Sequence, residues 1–389
     1  MQIPSNMIAS KIKWPGIYIC GMCAAWGIVS GLTGIVNNFT GLVICRCFLG
    51  FTEAAFFPGA VYLVSVFYEK KKMALRTAIL YSGSQVGNAF GGLFALAILQ
   101  LEGAHGIRGW RWLFIVEGGL TVGCAIIFAF IIPNTPRNIR WLTPLEKEQL
   151  LYRLEVDRGT KDGTDEMSVT AGLWAAVSDP KTWLLCSILQ MNYIAASVTN
   201  FFPIVVNGLG FSRTVTLAIT APPYLVCCVV LLVNGWHSDK KQERWLHIAL
   251  PFIVTVIGNI IALATTKTAA RYFAMMILPP SFYASSIIIL SWISSSITGP
   301  AVKRAIVYAL INSLCNTPNI WTSYLYQNNG PRFILGFSVD CAAAVGAVIA
   351  ATATYLYLKR QNAKLDRGED CGKHGPSQVQ IDAGFRYVL

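Results

Sequence analysis

The sequence carries little charge for its length. Only 13% of its 389 residues are Asp, Glu, Lys or Arg, whereas soluble proteins carry about 25% charged residues. Hydrophobic residues make up 54% of the chain, and its mean hydropathy is +0.52. This composition excludes a soluble globular protein. Apolar runs of about 18 residues or more recur along the chain, and each can cross a bilayer as a helix. We therefore predict an all-α polytopic membrane protein.

Clustered metal ligands and nucleophiles are also lacking. The eleven cysteines are scattered, nearly all in apolar runs, and no Cys pair joins the second pair or ligand-rich loop that a zinc site requires. The four histidines are isolated at span ends or in the C-terminal tail: His105, His237, His247 and His374. We predict no metal site, no cofactor and no catalytic residue.

The net charge of +12 comes from short basic clusters between the apolar runs. This placement is typical of orientation signals beside a membrane and not of a nucleic-acid surface. The clusters at 70–72, 240–241 and 359–360 fall on alternate connections and therefore on one side of the membrane. That side is predicted to be the cytoplasm, and it includes the middle loop and the C-terminus. We expect the plasma membrane to be the location.

Ten full spans are predicted, and residues 1–12 look like the second half of another. The spans are 16–36, 41–67, 74–100, 112–133, 182–206, 216–236, 246–266, 272–298, 301–326 and 331–358. Two six-helix halves joined by a cytoplasmic loop form the architecture of the major facilitator superfamily. The sequence fits this fold with the first helix and part of the second missing.

The predicted domains follow from this arrangement. They are an incomplete N-terminal helix bundle at 1–134, a cytoplasmic linker at 135–180, a C-terminal six-helix bundle at 181–358 and a cytoplasmic tail at 359–389. In the linker, Thr143, Pro144 and Glu146 form the start of a surface helix, with Thr143 and Glu146 in a capping box. The tail is polar and predicted to be disordered.

Two charged residues stand inside the predicted span 41–67, in the stretch ICRCFLGFTEAAFFPG. Arg46 and Glu53 are seven residues apart, which places them on one helix face about 10 Å apart along the axis. A charge at mid-bilayer costs about 2.5–3.5 kcal/mol on insertion scales, so such residues usually face a cavity or a partner. An arginine can hold a carboxylate in bidentate fashion, and a partly buried carboxyl can carry a proton. We predict Arg46 to bind an anionic substrate and Glu53 to carry a proton. The alternative is structural, with each charge neutralised by another helix.

Two further acids lie inside predicted spans. Glu117 follows Arg111 by six residues and is predicted to take part in proton coupling, through a basic partner near the outer mouth, or to form a structural ion pair. Asp340 follows Arg332 by eight residues, and we favour a structural role for it.

Polar uncharged residues in the spans mark a possible substrate route. The predicted substrate-binding set, beside Arg46, is Gln85, Asn88, Gln190, Asn192, Trp292, Asn312 and Asn316. Amides in a span need hydrogen-bonding partners, which come from water, a substrate or another helix. Helix–helix contact is therefore the alternative role for these residues.

Several strings along the chain form a specific combination: RCFLGFTEAAFFPGAVYL, ALRTAILYSGSQVGNAFGG, GWRWLFIVEG, IPNTPRNIRWLT, ISSSITGPAVKRA and FRYVL. Together they resemble the fungal allantoate permease family, the anion:cation symporter branch of the major facilitator superfamily, over essentially the whole chain. The pattern at Arg46, Gly50, Glu53 and Pro58 also resembles the fourth helix of animal organic-anion and vesicular glutamate transporters. There the arginine binds substrate and the acid is linked to protonation, so the resemblance implies these roles for Arg46 and Glu53.

The loop GWHSDKKQER resembles the superfamily's cytoplasmic signature between paired helices. Gly235, Asp239 and Lys240 match it, although the second glycine of the signature is absent. The resemblance implies that this loop is a conformational latch.

These observations predict a secondary active transporter that imports a small organic anion, a vitamin or ureide carboxylate, with protons by alternating access. Its expected partners are the carboxylate, protons and the lipid bilayer, with no nucleic acid, and it is expected to be a monomer. The alternative is a non-transporting sensor or an inactive shortened family member, which the missing first helix favours. A membrane enzyme would need catalytic clusters at a membrane face.

Overall fold

The computed structural model describes residues 12–69, 72–158, 167–201, 218–326, 332–369, 374–382 and 384–389, with Ser5, Ile8, Val215 and Gly372. Over these residues the secondary structure is helical, without a strand. The α-helices are α1 Pro15–Thr33, α2 Phe39–Glu53, α3 Phe56–Phe67, α4 Met73–Leu99, α5 Gly109–Ile131, α6 Pro144–Arg158, α7 Val169–Val177, α8 Pro180–Ala195, α9 Ala221–Lys241, α10 Trp245–Ala264, α11 Thr268–Ser296, α12 Ala301–Cys315, α13 Pro318–Trp321, α14 Ile334–Asp366 and α15 Gln378–Asp382. Short 3₁₀ turns lie at Ala104–Gly106, Pro136–Asn138, Ser197–Phe201 and Thr322–Tyr326.

Six of the described helices are long and apolar enough to cross a membrane: α1, α5, α9, α10, α11 and α14. The predicted span 74–100 is also one continuous helix, α4, of 27 residues. Each of these helices overlaps a span predicted from hydropathy. The predicted residues 202–214 and 216–217 lie outside the described residues.

Three predicted spans do not form one regular helix each. The span 41–67 is divided between α2 and α3 at Ala54 and Ala55, and 182–206 passes from α8 into a 3₁₀ turn. The span 301–326 ends its regular helix at Cys315. Pro318 has no N–H to donate back along that helix, and the chain continues through i to i−3 hydrogen bonds instead.

The described chain falls into two compact units. Unit 1 takes its residues from 1–68, 94–173 and 300–310, and unit 2 from 69–93, 174–299 and 311–389. Each unit therefore combines segments that are distant in sequence. The four domains proposed from the sequence stay a prediction.

In unit 1, glycines bring α1 and α5 into backbone contact. A Cβ added at Gly118 would lie 2.6 Å from the oxygen of Gly27 and 2.7 Å from the nitrogen of Gly31. A Cβ on Gly27 would lie 2.9 Å from the oxygen of Gly118. Small residues let helices in a membrane approach this closely, and close approach gives dispersion contacts that lipid cannot replace.

Unit 2 is built around α11, whose second half is buried on all sides. Between Leu278 and Ser296 every side chain of α11 is buried except that of Tyr283. Helices α9 and α10 pack against it, and α14 packs against both α8 and α10. A helix that is apolar on every face belongs in such a central position.

The linker helix α6 begins as predicted. The N–H and the hydroxyl of Thr143 each donate to Oε2 of Glu146 at 2.8 Å, and the N–H of Glu146 donates back to the Thr143 hydroxyl at 3.4 Å. The capping box is confirmed. The backbone N–H of Thr143, and then its hydroxyl, favour the carboxylate and hold the pKa of Glu146 below its ordinary value.

The C-terminal segment is ordered against unit 2, so the prediction of a disordered tail is wrong for its described residues. Helix α14 continues to Asp366. Further on, Asn362 and Tyr387 exchange two hydrogen bonds of 2.9 Å, side-chain amide to backbone. The ammonium of Lys181 donates to the Tyr387 hydroxyl at 3.2 Å and lies 4.9 Å from the centre of its ring. The polar composition of the tail favoured disorder. Composition alone cannot show that the tail contacts Lys181, which lies more than 200 positions earlier in the sequence.

Replacing Gly118 with valine should destabilise unit 1, because the new Cβ meets the backbone of α1 and backbone atoms cannot move aside alone. We expect a loss of about 1–3 kcal/mol, the usual cost of overpacking. The measurement is the thermal unfolding midpoint of the protein purified in detergent.

Gly119→Val is the matched control, since a Cβ at Gly119 has no neighbour within 4 Å. Equal unfolding midpoints for the two variants would contradict the α1–α5 contact.

Candidate functional site

Arg46 and Glu53 both lie in α2, a helix of unit 1 with no buried residue. Both side chains are exposed, and Arg46 acts electrostatically on Glu53. Within the described residues neither forms an ion pair at 4 Å or less. The ring of Phe114 lies 5.8 Å from the guanidinium carbon of Arg46, within the range of a cation–π contact. The structure therefore leaves the guanidinium available to an anion.

Glu117, on α5 of the same unit, is exposed. Among the described residues it has no basic partner within 4 Å. The nearest basic residue in sequence, Arg111, is engaged elsewhere: it donates to the carbonyl of Val36 at 3.0 Å and to Oδ1 of Asn37. The predicted pairing of Glu117 with a basic group is not formed in the described structure.

Four of the predicted amides belong to unit 2, and we refer to them together as the amide cluster: Gln85, Gln190, Asn192 and Asn312. Gln190 donates to the Thr317 hydroxyl at 3.3 Å, and Asn192 donates to the Ser286 hydroxyl at 2.5 Å. These contacts join α8 to α11 and to the residues that follow α12. Gln85 and Asn192 are 0% and 1% exposed.

Each member of the amide cluster keeps at least one buried polar atom without a hydrogen-bond partner. These atoms are both amide atoms of Gln85, Oε1 of Gln190, Oδ1 of Asn192 and Oδ1 of Asn312. A buried polar atom left unpaired costs about 1–3 kcal/mol. Water or a polar ligand can supply the missing hydrogen bonds.

Tyrosines that the sequence argument missed complete this region. The hydroxyls of Tyr81 on α4 and Tyr193 on α8 are hydrogen-bonded to each other. Tyr283 on α11 interacts with Thr199 and approaches Gln85, although no contact of Gln85 meets full hydrogen-bond geometry. The sequence could have identified these tyrosines as candidates. Tyr193 directly follows Asn192, and all three tyrosines fall within predicted spans instead of at their ends.

Three other predicted substrate residues stand apart from the amide cluster. Asn88 is exposed on α4. Asn316 donates to the backbone oxygen of Asn312 at 2.8 Å, so its amide serves its own helix. Trp292 is fully buried and its indole N–H donates to the carbonyl of Val388 at 2.9 Å, so its polar atom is occupied by the C-terminal segment.

The predicted latch residues lie at one end of α9. Asp239 accepts the N–H groups of Ala74 and Leu75, at 3.2 and 2.8 Å, and so caps the N-terminus of α4. Gly235 lets α9 approach α4, since a Cβ there would lie 3.0 Å from that of Ala78. A carboxylate at a helix N-terminus satisfies free N–H groups and the helix dipole together.

Asp239 also forms an ion pair of 2.8 Å with Arg244, which is 0% exposed. Arg244 donates to the Ser238 hydroxyl at 2.8 Å, and its backbone N–H donates to the carbonyl of Leu389. Lys240 is exposed and lies 5.0 Å from the centre of the Trp236 ring. The latch thus links α4, α9 and the C-terminal segment through one carboxylate and one guanidinium.

Two histidines beside the latch are not isolated, contrary to the prediction. Nδ1 of His237 and Nε2 of His247 are 2.7 Å apart, and Nδ1 of His247 lies 2.7 Å from Oε2 of Glu243. The nine residues between them in sequence span a helix end and a turn, which bring the rings together. No group of three or more metal ligands occurs within the described residues.

Asp340, on α14, lies in the structural setting that was favoured for it. It is fully buried and accepts hydrogen bonds from Tyr326 at 2.6 Å and Ser197 at 2.8 Å. These bonds tie α14 to the 3₁₀ turns Ser197–Phe201 and Thr322–Tyr326.

Comparison with known proteins decides the family. The model described as Major Facilitator Superfamily matches residues 1–322. The chain belongs to this family. Major facilitators are transporters, and the chain is a multi-pass membrane protein with the major facilitator fold.

Relatives and solved structures agree with this placement. MFS-type transporter cnsO of Penicillium expansum is 29% identical over 407 residues, covering 99% of this chain and 78% of that protein. MFS transporter prlL of Fungal sp. (strain NRRL 50135) is 31% identical over 380 residues, covering 94% and 74%. The proton:xylose symporter XylE shares the fold with a TM-score of 0.68 and 15% identity, covering 99% of this chain and 87% of that one.

Replacing Asp239 with alanine should destabilise this major facilitator, because Arg244 is left buried without its partner and α4 loses its cap. Removing one partner of a buried pair costs about 3–5 kcal/mol. The thermal unfolding midpoint in detergent measures it.

Lys240→Ala is the control, because Lys240 is the exposed neighbour and contacts only the face of Trp236. Should Asp239→Ala unfold at the midpoint of Lys240→Ala, the capping and pairing roles of Asp239 would be refuted.

Proposed function

We propose that this major facilitator imports a small organic anion, a vitamin or ureide carboxylate, together with protons, by alternating access. It belongs to the allantoate permease branch and works as a monomer in the plasma membrane. The middle loop and the C-terminus face the cytoplasm.

The observation that carries this proposal is the amide cluster. Five of its buried oxygen and nitrogen atoms lack protein partners, and in a membrane protein such atoms need water or a polar ligand. Amides that donate and accept suit the carboxylate, hydroxyl and ureide groups of small metabolites.

Arg46 supports a negative charge on the substrate. Arg111 and Arg244 are held by protein oxygens, whereas Arg46 lies over the face of Phe114 and forms no ion pair within the described residues. A guanidinium in a span is costly unless an anion compensates it. A carboxylate substrate provides that compensation through two parallel hydrogen bonds.

Glu53 supports proton coupling. It lies at the end of α2, where the helix is interrupted before α3, and Arg46 is the charge that acts on it. When an anion neutralises Arg46, the attraction that favours ionised Glu53 weakens, so substrate binding favours proton binding. XylE, which shares the fold, is itself named a proton symporter.

Uptake of labelled nicotinate, pantothenate, biotin and allantoate, at acidic and at neutral external pH, should identify a substrate taken up faster at acidic pH. For that substrate, Arg46→Gln should raise KM about tenfold or more, because one charge-assisted hydrogen bond contributes about 1.5–3 kcal/mol. Arg108→Gln removes an exposed charge from a connection and is the control. Unchanged uptake by Arg46→Gln at equal membrane abundance removes Arg46 from the site.

Glu53→Gln should abolish accumulation against the substrate gradient while exchange of substrate across the membrane continues, because the amide cannot bind and release a proton. The measurement is the internal-to-external substrate ratio under an imposed pH gradient, with Glu148→Gln as the surface control. Accumulation by Glu53→Gln equal to that of the unmodified protein excludes Glu53 as the proton carrier.

The panel also separates transport from a sensing role. A protein that binds a carboxylate in detergent, but moves none of the panel in reconstituted vesicles, would be the non-transporting sensor.

A further inference from the structure

Unit 1 contains a cavity of about 590 Å³ where α1 begins and α5 ends. The two ends are adjacent because the helices run antiparallel, and the N–H of Ile17 donates to Oδ1 of Asn134 at 3.1 Å. The volume is in the range of small-ligand sites. Neither Arg46 nor Glu53 lines this cavity.

The wall of this cavity changes from apolar to polar along its length. Ile17, Phe130 and Ile131 belong to membrane-spanning helices and line the apolar part. Asn134, Asn138 and Arg140 follow the end of α5 and line the polar part. A ligand that fits both parts has an apolar body and a polar head.

Arg140 gives the polar part a positive charge. Its side chain is exposed and forms no ion pair within the described structure. No acidic residue is among the described residues that line the cavity. Arg137 lies three residues before Arg140, Lys13 lies beside Trp14, and both are exposed. The head group that fits here is an anion.

Two tryptophans frame the boundary between the parts. Trp14 and Trp141 line the cavity and are 53% and 67% exposed. Tryptophan is enriched at the level of lipid head groups, where its ring meets acyl carbons and its N–H meets polar groups. Their exposure places them at this level instead of in a protein core.

We infer that this cavity binds the head group of an anionic phospholipid. The guanidinium of Arg140 holds the phosphate, the amides of Asn134 and Asn138 donate to the remaining polar groups, and the acyl chains lie along Phe130 and Ile131. Anionic lipids are enriched in the cytoplasmic leaflet, which is the side proposed above for this end of the helices. The inference is independent of the transported substrate.

The test uses delipidated full-length protein in detergent, titrated with short-chain phosphatidylserine, short-chain phosphatidylcholine or inorganic phosphate. A ligand that binds the folded state raises the thermal unfolding midpoint in proportion to its affinity. Phosphatidylserine should raise the midpoint, and phosphatidylcholine and phosphate should not. Arg140→Gln should weaken phosphatidylserine binding about tenfold, the loss of one charge-assisted contact.

Arg137→Gln is the matched control, since it removes a charge from the same short segment but does not line the cavity. Its apparent affinity should stay within about twofold of the unmodified protein, as for an exposed charge. Arg140→Lys, which keeps the charge and loses the bidentate fork, should fall between the two. Arg137 and Arg140 are exposed, so all three substitutions should leave the unfolding midpoint of the lipid-free protein unchanged. A loss of lipid binding is then not a loss of folding.

Four results would overturn the inference. They are no shift with phosphatidylserine, an equal shift with phosphatidylcholine, an equal shift with inorganic phosphate, and equal phosphatidylserine affinity in Arg140→Gln and Arg137→Gln. The third result would indicate a site for free anions.

Discussion

A polar atom inside a membrane has no bulk water to form hydrogen bonds with. Its partner must therefore be another group of the protein, a bound water molecule or a ligand. This constraint divides the buried polar groups of the chain into two kinds. Asp340 and the indole of Trp292 have protein partners at hydrogen-bond distance. The amide cluster has unpaired atoms. The paired groups hold helices in place. The unpaired atoms support the proposal that a polar ligand binds there.

Two carboxylates show how surroundings set these roles. Asp239 meets three positive ends at once, two backbone N–H groups and one guanidinium. These three contacts fix the position of its side chain. Glu53 has no such set of donors within the described residues, and one guanidinium acts on it at a distance.

Local sequence patterns predicted the membrane-crossing helices and the capping box at Thr143. Each of these depends on neighbours within one or two turns, or on a run long enough to read as apolar. The positions of Trp292, His237 and the segment around Tyr387 depend on contacts between distant parts of the chain. Hydropathy and composition carry no information on such pairs.

The order of the last residues has a practical consequence for handling the protein. Tyr387, Val388 and Leu389 contact residues from four other segments: Lys181, Arg244, Trp292 and Asn362. An affinity tag or fluorescent reporter fused directly after Leu389 would have to leave from a packed surface beside Arg244. A flexible spacer, or a label placed elsewhere, should preserve the contacts of Tyr387, Val388 and Leu389 during purification and imaging.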